Sequence, residues 1–298
     1  MKIHQSLQSA LRKHCVLTIG AFDGLHLGHQ SIFRRLKECA DKTSTAVITF
    51  SNHPKTLFNP DQPVYRLVSL EQKIALFAQL GVDDLYLVPF TRELSEQSPK
   101  AFLSNLMQQL PFSHLILGHD AHVGYARSGG PAQLKPLANK LNFHLEYLPL
   151  LCHDDKTISS SAIRTALRLG DLATVEAYLG RPYSVVGPVL KGAGRGKHLG
   201  FPTANLDPSD WCLPPIGVYE TEVILGNQRY PSLTNIGHAP TVATQRQLVL
   251  ETHIPNHSHD LYGQNLNIIF KSFLRPEKKF PSIEALQAQI REDIQHLD

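Results

Sequence analysis

Short apolar runs alternate with longer stretches of helical period in the first half of the chain. The strand-like runs are 15–19, 46–50, 85–88, 114–117 and 144–148, and the helix-like segments are 28–40, 69–80, 99–110, 131–141 and 160–179. This alternation predicts a doubly wound parallel sheet. Such sheets bind ligands where their strands end, which makes the loops Gly20 to His29 and Gly118 to Gly124 site candidates.

The pattern changes after Gly180-Arg181-Pro182, where the composition shifts toward Gly, Pro and β-branched residues. A boundary here predicts domains at 1–180 and 181–298. Short strand-like runs follow at 183–186, 217–224, 247–254 and 266–270. They predict a small antiparallel β-barrel, closed by a terminal helix with Ser282 as its N-cap. The predicted fold class is therefore α/β followed by β.

Composition narrows the classes of function. The 298 residues suit two domains, and the net charge of +3 comes from dispersed basic residues, so no nucleic-acid partner is expected. No apolar run is long enough to span a bilayer, and no membrane partner is expected. The four cysteines, Cys15, Cys39, Cys152 and Cys212, form no close pair, which favours a reducing cytoplasm. Nothing in the sequence predicts the oligomeric state.

The segment Gly20 to His29 joins the first strand to the first helix, so its backbone donors and the helix dipole favour an anion. Gly20, Phe22 and Asp23 belong to this turn as nucleotide-binding candidates. His26 and His29, three residues apart, can present both imidazoles to one ligand, and Gly28 between them lets phosphate approach the backbone. Zinc binding and a structural role for one histidine are the alternatives.

A second phosphate candidate is Ile158-Ser159-Ser160-Ser161-Ala162-Ile163-Arg164, which opens an amphipathic helix. Ser159, Ser160, Ser161 and Arg164 can hold a pyrophosphate at the helix N-terminus. The alternative is a well-capped helix without a ligand.

A glycine-rich loop, Gly192 to Gly200, precedes Phe201-Pro202-Thr203-Ala204-Asn205. Glycines such as Gly192 and Gly200 let backbone N–H groups approach phosphates, and Lys197 adds positive charge. In an extended segment Thr203 and Asn205 share a face, and Pro202 stiffens the approach to them. One hydroxyl and one amide oxygen suit Mg²⁺ that keeps waters and substrate phosphates. The alternative is a surface hairpin with incidental charge.

The ordered motifs resemble those of the bifunctional bacterial riboflavin kinase/FMN adenylyltransferase (FAD synthetase) family over nearly the whole chain. They are His26-Leu27-Gly28-His29, Ile158 to Arg164, Gly200 to Asn205, Asn235-Ile236-Gly237, Glu251-Thr252-His253, Asp260 to Gly263 and Leu274 to Phe280. The resemblance implies a nucleotidyltransferase α/β domain that adenylates FMN and a six-stranded barrel that phosphorylates riboflavin. ATP, riboflavin and FMN would be substrates, with Mg²⁺ as cofactor.

The resemblance also implies roles for single residues. His26, His29, Ser159, Ser160 and Arg164 would stabilise phosphates during adenylyl transfer. Thr203 and Asn205 would help to hold magnesium and ATP, and Glu251 would be the base that deprotonates the riboflavin 5′-hydroxyl. The alternative for Glu251 is a solvent-facing strand residue.

One segment departs from the family pattern. Where the family commonly has Gly-x-Asp-Phe-x-Phe-Gly, this chain has Gly118-His119-Asp120-Ala121-His122-Val123-Gly124, which keeps Asp120 as a binding candidate and lacks both aromatic rings. This departure motivates one alternative to the bifunctional enzyme, a riboflavin kinase with a weakened or inactive adenylyltransferase domain. A separate alternative is a non-enzymatic flavin- or nucleotide-binding module.

Overall fold

The structure is a computed structural model that describes residues 1–7, 14–58, 64–239, 247–257 and 260–297. The chain divides into two compact units. The first comprises 1–64 and 70–159, and the second comprises 65–69 and 160–298. The predicted domain boundary at 180 stays a prediction. In the division into compact units, residues 160–180 belong to the second unit.

The first unit consists of a sheet, a small hairpin and surrounding helices. Its strands are β1 (Lys2–His4), β2 (Cys15–Ile19), β3 (Ser44–Phe50), β4 (Asp84–Val88), β5 (Phe112–Gly118), β6 (His144–Leu148), β7 (Cys152–His153) and β8 (Lys156–Thr157). Its helices are α1 (Leu27–Ala40), α2 (Pro54–Phe58), α3 (Leu70–Gln79), α4 (Arg92–Ser95), α5 (Pro99–Gln109) and α6 (Pro131–Leu141).

The six main strands form one parallel sheet in the order β1-β4-β3-β2-β5-β6. The chain runs outward from β2 through β3 to β4 and then crosses to β5 on the other side of β2. This reversal is the switch point at which doubly wound sheets bind ligands. The loops after β2 and β5 therefore lie at neighbouring strand ends.

Side chains on β2 alternate between two apolar clusters, one on each face of the sheet. Val16 packs in a cluster with Phe33 of α1, and Leu17 packs in a cluster with Leu103 of α5. Helices cover both faces, as the predicted doubly wound fold requires. The buried sheet gives the loops at its carboxyl edge a rigid base.

The second unit combines helices with a curved antiparallel sheet. Its elements are α7 (Ser160–Arg168), α8 (Leu172–Leu179), β9 (Ser184–Pro188), α9 (Arg195–His198), β10 (Thr203–Leu206), β11 (Gly217–Leu225), β12 (Gln228–Ala239), β13 (Gln247–His253), β14 (Asn265–Arg275) and α10 (Ile283–Gln295). The strand order is β10-β13-β12-β11-β14-β9.

One backbone bridge joins the two edges of this sheet. Leu190, just beyond the edge strand β9, donates its N–H to the Asn205 carbonyl of the other edge strand, β10, at 2.8 Å. The bridge brings the two edges of the curled six-stranded antiparallel sheet, a half-barrel, together at this point, and it pairs one N–H and one carbonyl that would otherwise lie unpaired at the edges. It also fixes Asn205 at the seam.

The predicted fold class is confirmed, with local corrections. The predicted helical segment 160–179 is two helices, because Gly170 adopts a φ of +75° and Asp171 caps α8 through its side chain. The glycine-rich loop contains the short helix α9, and β12 is a strand that the apolar pattern does not predict. The terminal helix α10 begins after Ser282, whose side chain caps it as predicted.

Candidate functional site

The turn between β2 and α1 places His26 at the helix N-cap. The backbone N–H of His29 donates to Nδ1 of His26 at 3.3 Å, and the two rings stack with centroids 3.6 Å apart. Because Nδ1 of His26 accepts this bond, the neutral ring carries its proton on Nε2. His26 therefore caps α1 through its side chain.

His29 lies between the His26 ring and the edge of Phe22, whose centroid is 5.2 Å away. Its Nδ1 is buried and has no hydrogen-bond partner among the described residues. Burial, with the nearby His26 and Lys73, holds the pKa of His29 well below its usual range. The imidazole is therefore neutral at pH 7 and keeps one donor and one acceptor.

Gly28 fits a crowded position in this turn. A methyl group at residue 28 would lie 3.2 Å from the His26 ring and 3.7 Å from the carbonyl oxygen of Ile158. Ile158, which immediately precedes Ser159, thus lies beside Gly28. The structure therefore brings the start of the serine segment to the histidine turn. Ser160, Ser161 and Arg164 belong to the second unit.

Two predicted members of the turn have structural tasks. The Gly20 N–H donates to the Ile48 carbonyl at 3.1 Å, so it is used within the sheet. Phe22 is buried, with its ring over Gly20 and against Phe33. Asp23 is also buried.

A lysine that sequence reasoning misses lies beside this turn. Lys73 of α3 donates to the Ala21 carbonyl at 2.9 Å. Burial lowers its pKa, while the nearby Asp23 acts in the opposite direction. Lys73 stands 44 or more positions from the histidines in the sequence, and no local pattern marks it; only the packing of α3 brings its ammonium group here.

An aromatic group lies at the ends of β3 and β4, where sequence reasoning predicts none. The Phe90 ring is 4.9 Å from Phe50 and 6.0 Å from Phe58, centroid to centroid, and Phe58 is 61% exposed. Asn52 holds the Phe90 backbone by accepting from its N–H at 2.7 Å and donating to its carbonyl at 3.0 Å. This edge of the sheet therefore offers aromatic rings.

The loop after β5 is positioned through its backbone. The Asp120 carbonyl accepts from Arg127 at 3.1 Å, and the Asp120 side chain is exposed. Val123 is buried in the core, and Ala121 packs against the same cluster. The two positions that lack the family's aromatic residues thus contribute to the core.

The predicted serine segment begins α7 at Ser160, and Ser159 precedes the helix. Ser161 is exposed in the first turn. The Arg164 Nε donates to the carbonyl of Tyr65 at 2.8 Å, which orients the guanidinium from the following turn.

In the barrel, three polar residues lie side by side across adjacent strands. Asn205 of β10 pairs with Glu251 of β13, and Glu251 pairs with Asn235 of β12. Directly paired residues project from the same face of a sheet. Their neighbours Ala204, Leu250 and Thr252 are buried, so the row Asn205, Glu251, Asn235 faces away from the barrel core.

The glycine loop packs directly on this row. A methyl group at Gly192 would lie 2.5 Å from the Asn205 Nδ2, so the missing side chain makes room for the amide. The Pro202 carbonyl accepts a hydrogen bond from His253 Nδ1 at 2.8 Å, which anchors the segment before Thr203. The phosphate-binding candidates Lys197 and Gly200 are exposed. The loop is also held from α10, where the Gln287 side chain donates to the Leu199 carbonyl at 3.1 Å.

Glu251 is half-buried, and it makes no hydrogen bond or ion pair with another residue in the part of the chain that the structure describes. Burial raises the pKa of its carboxyl, Arg195 lowers it, and Glu277 raises it. A carboxylate with a raised pKa accepts a proton more readily than an exposed one. Sequence reasoning finds Glu251 but assigns no role to Asn235, His253 or Glu277.

The described residues contain no group of three or more His, Cys, Asp or Glu side chains that could hold a metal ion. His26 and His29 therefore do not belong to a group of three or more such metal-binding side chains among the described residues. No helix among the described residues is both long and apolar enough to cross a membrane.

Two family models match the chain in succession. The FAD synthetase model matches residues 8–162, and the riboflavin kinase model matches residues 179–298. A bifunctional riboflavin kinase/FMN adenylyltransferase of Escherichia coli K12 is 36% identical over 97% of this chain and 93% of its own length. The protein of that name from Haemophilus influenzae is 36% identical over 99% and 97%, respectively. The one from Listeria monocytogenes is 35% identical over 94% and 90%.

A crystal structure of a macrolide-efflux protein from Streptococcus pneumoniae has a TM-score of 0.84 to this chain at 24% identity. The match covers 99% of this chain and 97% of the Streptococcus pneumoniae chain. At this identity the likeness concerns the fold alone.

The parallel-sheet unit and the antiparallel-sheet unit, matched in succession by these two models, define a two-part transferase. The chain belongs to the bifunctional riboflavin kinase/FMN adenylyltransferase family.

Proposed function

We propose that this protein phosphorylates riboflavin to FMN with ATP and then transfers an adenylyl group from a second ATP to FMN, which yields FAD and pyrophosphate. Membership of the family supports both steps. The observation that carries the kinase step is the row Asn205, Glu251, Asn235 beside the glycine loop.

In the kinase step, Glu251 accepts the proton of the riboflavin 5′-hydroxyl. The hydroxyl oxygen then forms a bond to the γ-phosphorus of ATP, the bond from that phosphorus to the β–γ bridging oxygen breaks, and ADP leaves. Phosphoryl transfer depends mainly on alignment and charge neutralisation, and a positioned base adds a further factor of about 10²–10⁴. The carboxylate is half-buried and has no hydrogen-bond or ion-pair partner among the described residues, which suits that task.

Thr203 and Asn205 fit a magnesium ion that keeps several water and phosphate ligands. Both are oxygen donors on one face of β10, and Gly192 leaves space against the Asn205 amide. Bound there, Mg²⁺ would neutralise the phosphate charge. Backbone N–H groups of the loop and the exposed Lys197 would receive the ATP phosphates.

In the adenylyltransferase step, an oxygen of the FMN phosphate attacks the α-phosphorus of ATP, and the bond to the leaving pyrophosphate breaks. His26 and His29 would donate to phosphoryl oxygens, with Gly28 allowing close approach. Ser159, Ser160, Ser161 and Arg164 would bind the departing pyrophosphate, and Asp120 would contact the nucleotide. Lys73 adds positive charge beside the turn.

The aromatic group Phe50, Phe90 and Phe58 supplies flat apolar surface for a flavin or adenine ring. The weakened-transferase alternative rests on Ala121 and Val123 in place of aromatic residues. Because both side chains pack against the core, that change alters packing at the site's edge, and the exposed Phe58 keeps a ring available.

We also propose a cytoplasmic location. The four cysteines form no disulfide, and Cys15 and Cys212 are buried, as expected in a reducing compartment.

Incubation of the purified protein with ATP and Mg²⁺ tests the proposal in two arms. With riboflavin, FMN and ADP should form; with FMN supplied, FAD and pyrophosphate should form. FMN formation without FAD at any enzyme concentration would favour the kinase alone. Flavin binding with no product in either arm would indicate a binding module.

A further inference from the structure

A second carboxylate lies close to the proposed kinase base. Glu277 follows β14 in the segment Leu274 to Phe280, and its side-chain oxygen occupies the space above Gly237 of β12. A methyl group at residue 237 would overlap Glu277 Oε1 and would lie 2.9 Å from Asn235 Nδ2. Glycine at 237 is therefore what allows the carboxylate to rest on this strand.

Register places this carboxylate on the same face as the base. Gly237 lies two residues after Asn235 on β12, and Asn235 pairs with Glu251. Residues two apart on a strand share a face, and diagonal positions on neighbouring strands are about 7–8 Å apart. Glu277, Asn235 and Glu251 thus line one surface over a distance that an extended polyol chain can span.

The Glu277 carboxylate is available to a ligand. It is exposed, and it makes no hydrogen bond or ion pair with another described residue. Its negative charge raises the pKa of the Glu251 carboxyl, and the positive charge of Arg195 lowers it. A like charge that a protein holds beside a functional carboxylate, without a partner of its own, is typical of a binding site.

Riboflavin carries three secondary hydroxyls next to the terminal one that is phosphorylated. A carboxylate accepts hydrogen bonds from hydroxyls, and an Asn side chain both donates and accepts them. With the terminal hydroxyl at Glu251, the secondary hydroxyls extend along the surface toward Asn235 and Glu277.

We propose that Glu277 is a specificity-determining residue of the kinase site, which accepts hydrogen bonds from the secondary hydroxyls of the ribityl chain in the space left by Gly237. The proposal rests on the proposed kinase function. It predicts that the site selects a polyol chain over a plain hydroxyalkyl chain, and that Glu277 and Gly237 act as one unit.

The test compares two substrates on the same protein samples: riboflavin, and a flavin with an unbranched ω-hydroxypentyl chain that keeps only the terminal hydroxyl. Loss of a hydrogen bond to a charged group costs about tenfold to a hundredfold in kcat/KM. Glu277→Ala should lower kcat/KM for riboflavin by about that factor and leave the hydroxypentyl flavin unchanged. Glu277→Gln, which keeps one acceptor oxygen, should fall between.

Gly237→Ala should reproduce the loss for riboflavin because it displaces Glu277, and it should add nothing in the Glu277→Ala background. Glu292→Gln, an exposed acidic position on α10, is the matched control and should change neither substrate. Equal losses with both substrates in Glu277→Ala and in Glu277→Gln, or full additivity with Gly237→Ala, would overturn the proposal. Failure of the kinase function itself would show separately, as no FMN formed by the unaltered protein.

Discussion

The His29 backbone N–H donates to Nδ1 of His26, and the two imidazoles stack face to face 3.6 Å apart. His26 is thereby the N-cap of α1, and in the proposed adenylyl transfer it would also donate to phosphate. His26→Ala should remove both, lowering FAD formation and costing about 0.5–2 kcal/mol in the free energy of unfolding.

His26→Asn separates the two tasks, because Asn is a strong N-cap residue but lacks the imidazole. It should retain the unfolding free energy of the unaltered protein and still form FAD more slowly. Urea unfolding and an FMN adenylation assay on the same samples check this. Full activity in His26→Asn would mean that only the cap matters.

The lowered pKa of His29 predicts a pH dependence of stability. A histidine that stays neutral in the folded state binds its proton only on unfolding, so acidification below about pH 6.5 favours the unfolded state. The loss approaches about 1.4 kcal/mol per pH unit for this one group. His29→Gln should therefore flatten the fall in stability between pH 6.5 and 5.

Unfolding free energies at several pH values, measured on His29→Gln and on the exposed-site control His119→Gln, provide the comparison. An unchanged slope in His29→Gln would show that His29 titrates normally in the folded protein.

Glu251→Gln should lower riboflavin phosphorylation by about 10²–10⁴-fold and leave FMN adenylation intact. Burial raises the folded-state pKa of this carboxyl, so the charged form reduces stability as pH rises above the unfolded value. The neutral amide avoids that cost, and at pH 7 the variant should be at least as stable as the unaltered protein. A kinase defect that came with a lower unfolding free energy would instead indicate damaged folding.

A buried chain of hydroxyl groups crosses the barrel core. Thr234 Oγ1 lies 2.8 Å from Thr221 Oγ1 and 2.8 Å from Thr252 Oγ1, and Thr221 Oγ1 lies 2.8 Å from Ser232 Oγ. Thr234→Val removes the central hydroxyl and leaves its buried neighbours without that hydrogen-bond partner. This should lower the free energy of unfolding by about 1–3 kcal/mol. Thermal or urea unfolding measures it, with the exposed-face Thr203→Val as a control that should alter catalysis more than stability.

Local pattern is sufficient to predict the parallel sheet, because the central strands β2, β3, β4 and β5 each contain a buried apolar run. It was insufficient for β12, where polar Thr234 and Ser232 face the core and are satisfied by other hydroxyls. The motifs led to His26, His29, Asn205 and Glu251. Asn235 and Glu277 lie in motif segments, but the sequence gives them no role, because strand register places them beside Glu251. Lys73 lies in no motif and reaches the histidine turn through the packing of α3.

We expect this one chain to carry two separate catalytic sites that act in sequence. The most direct measurement follows flavin products from riboflavin, ATP and Mg²⁺ with His29→Ala, with Glu251→Gln, and with the two variants mixed. His29→Ala should accumulate FMN without FAD, Glu251→Gln should form neither from riboflavin yet convert supplied FMN to FAD, and the mixture should make FAD from riboflavin. Loss of both activities in each single variant, with no recovery in the mixture, would show that the two reactions do not have separate sites.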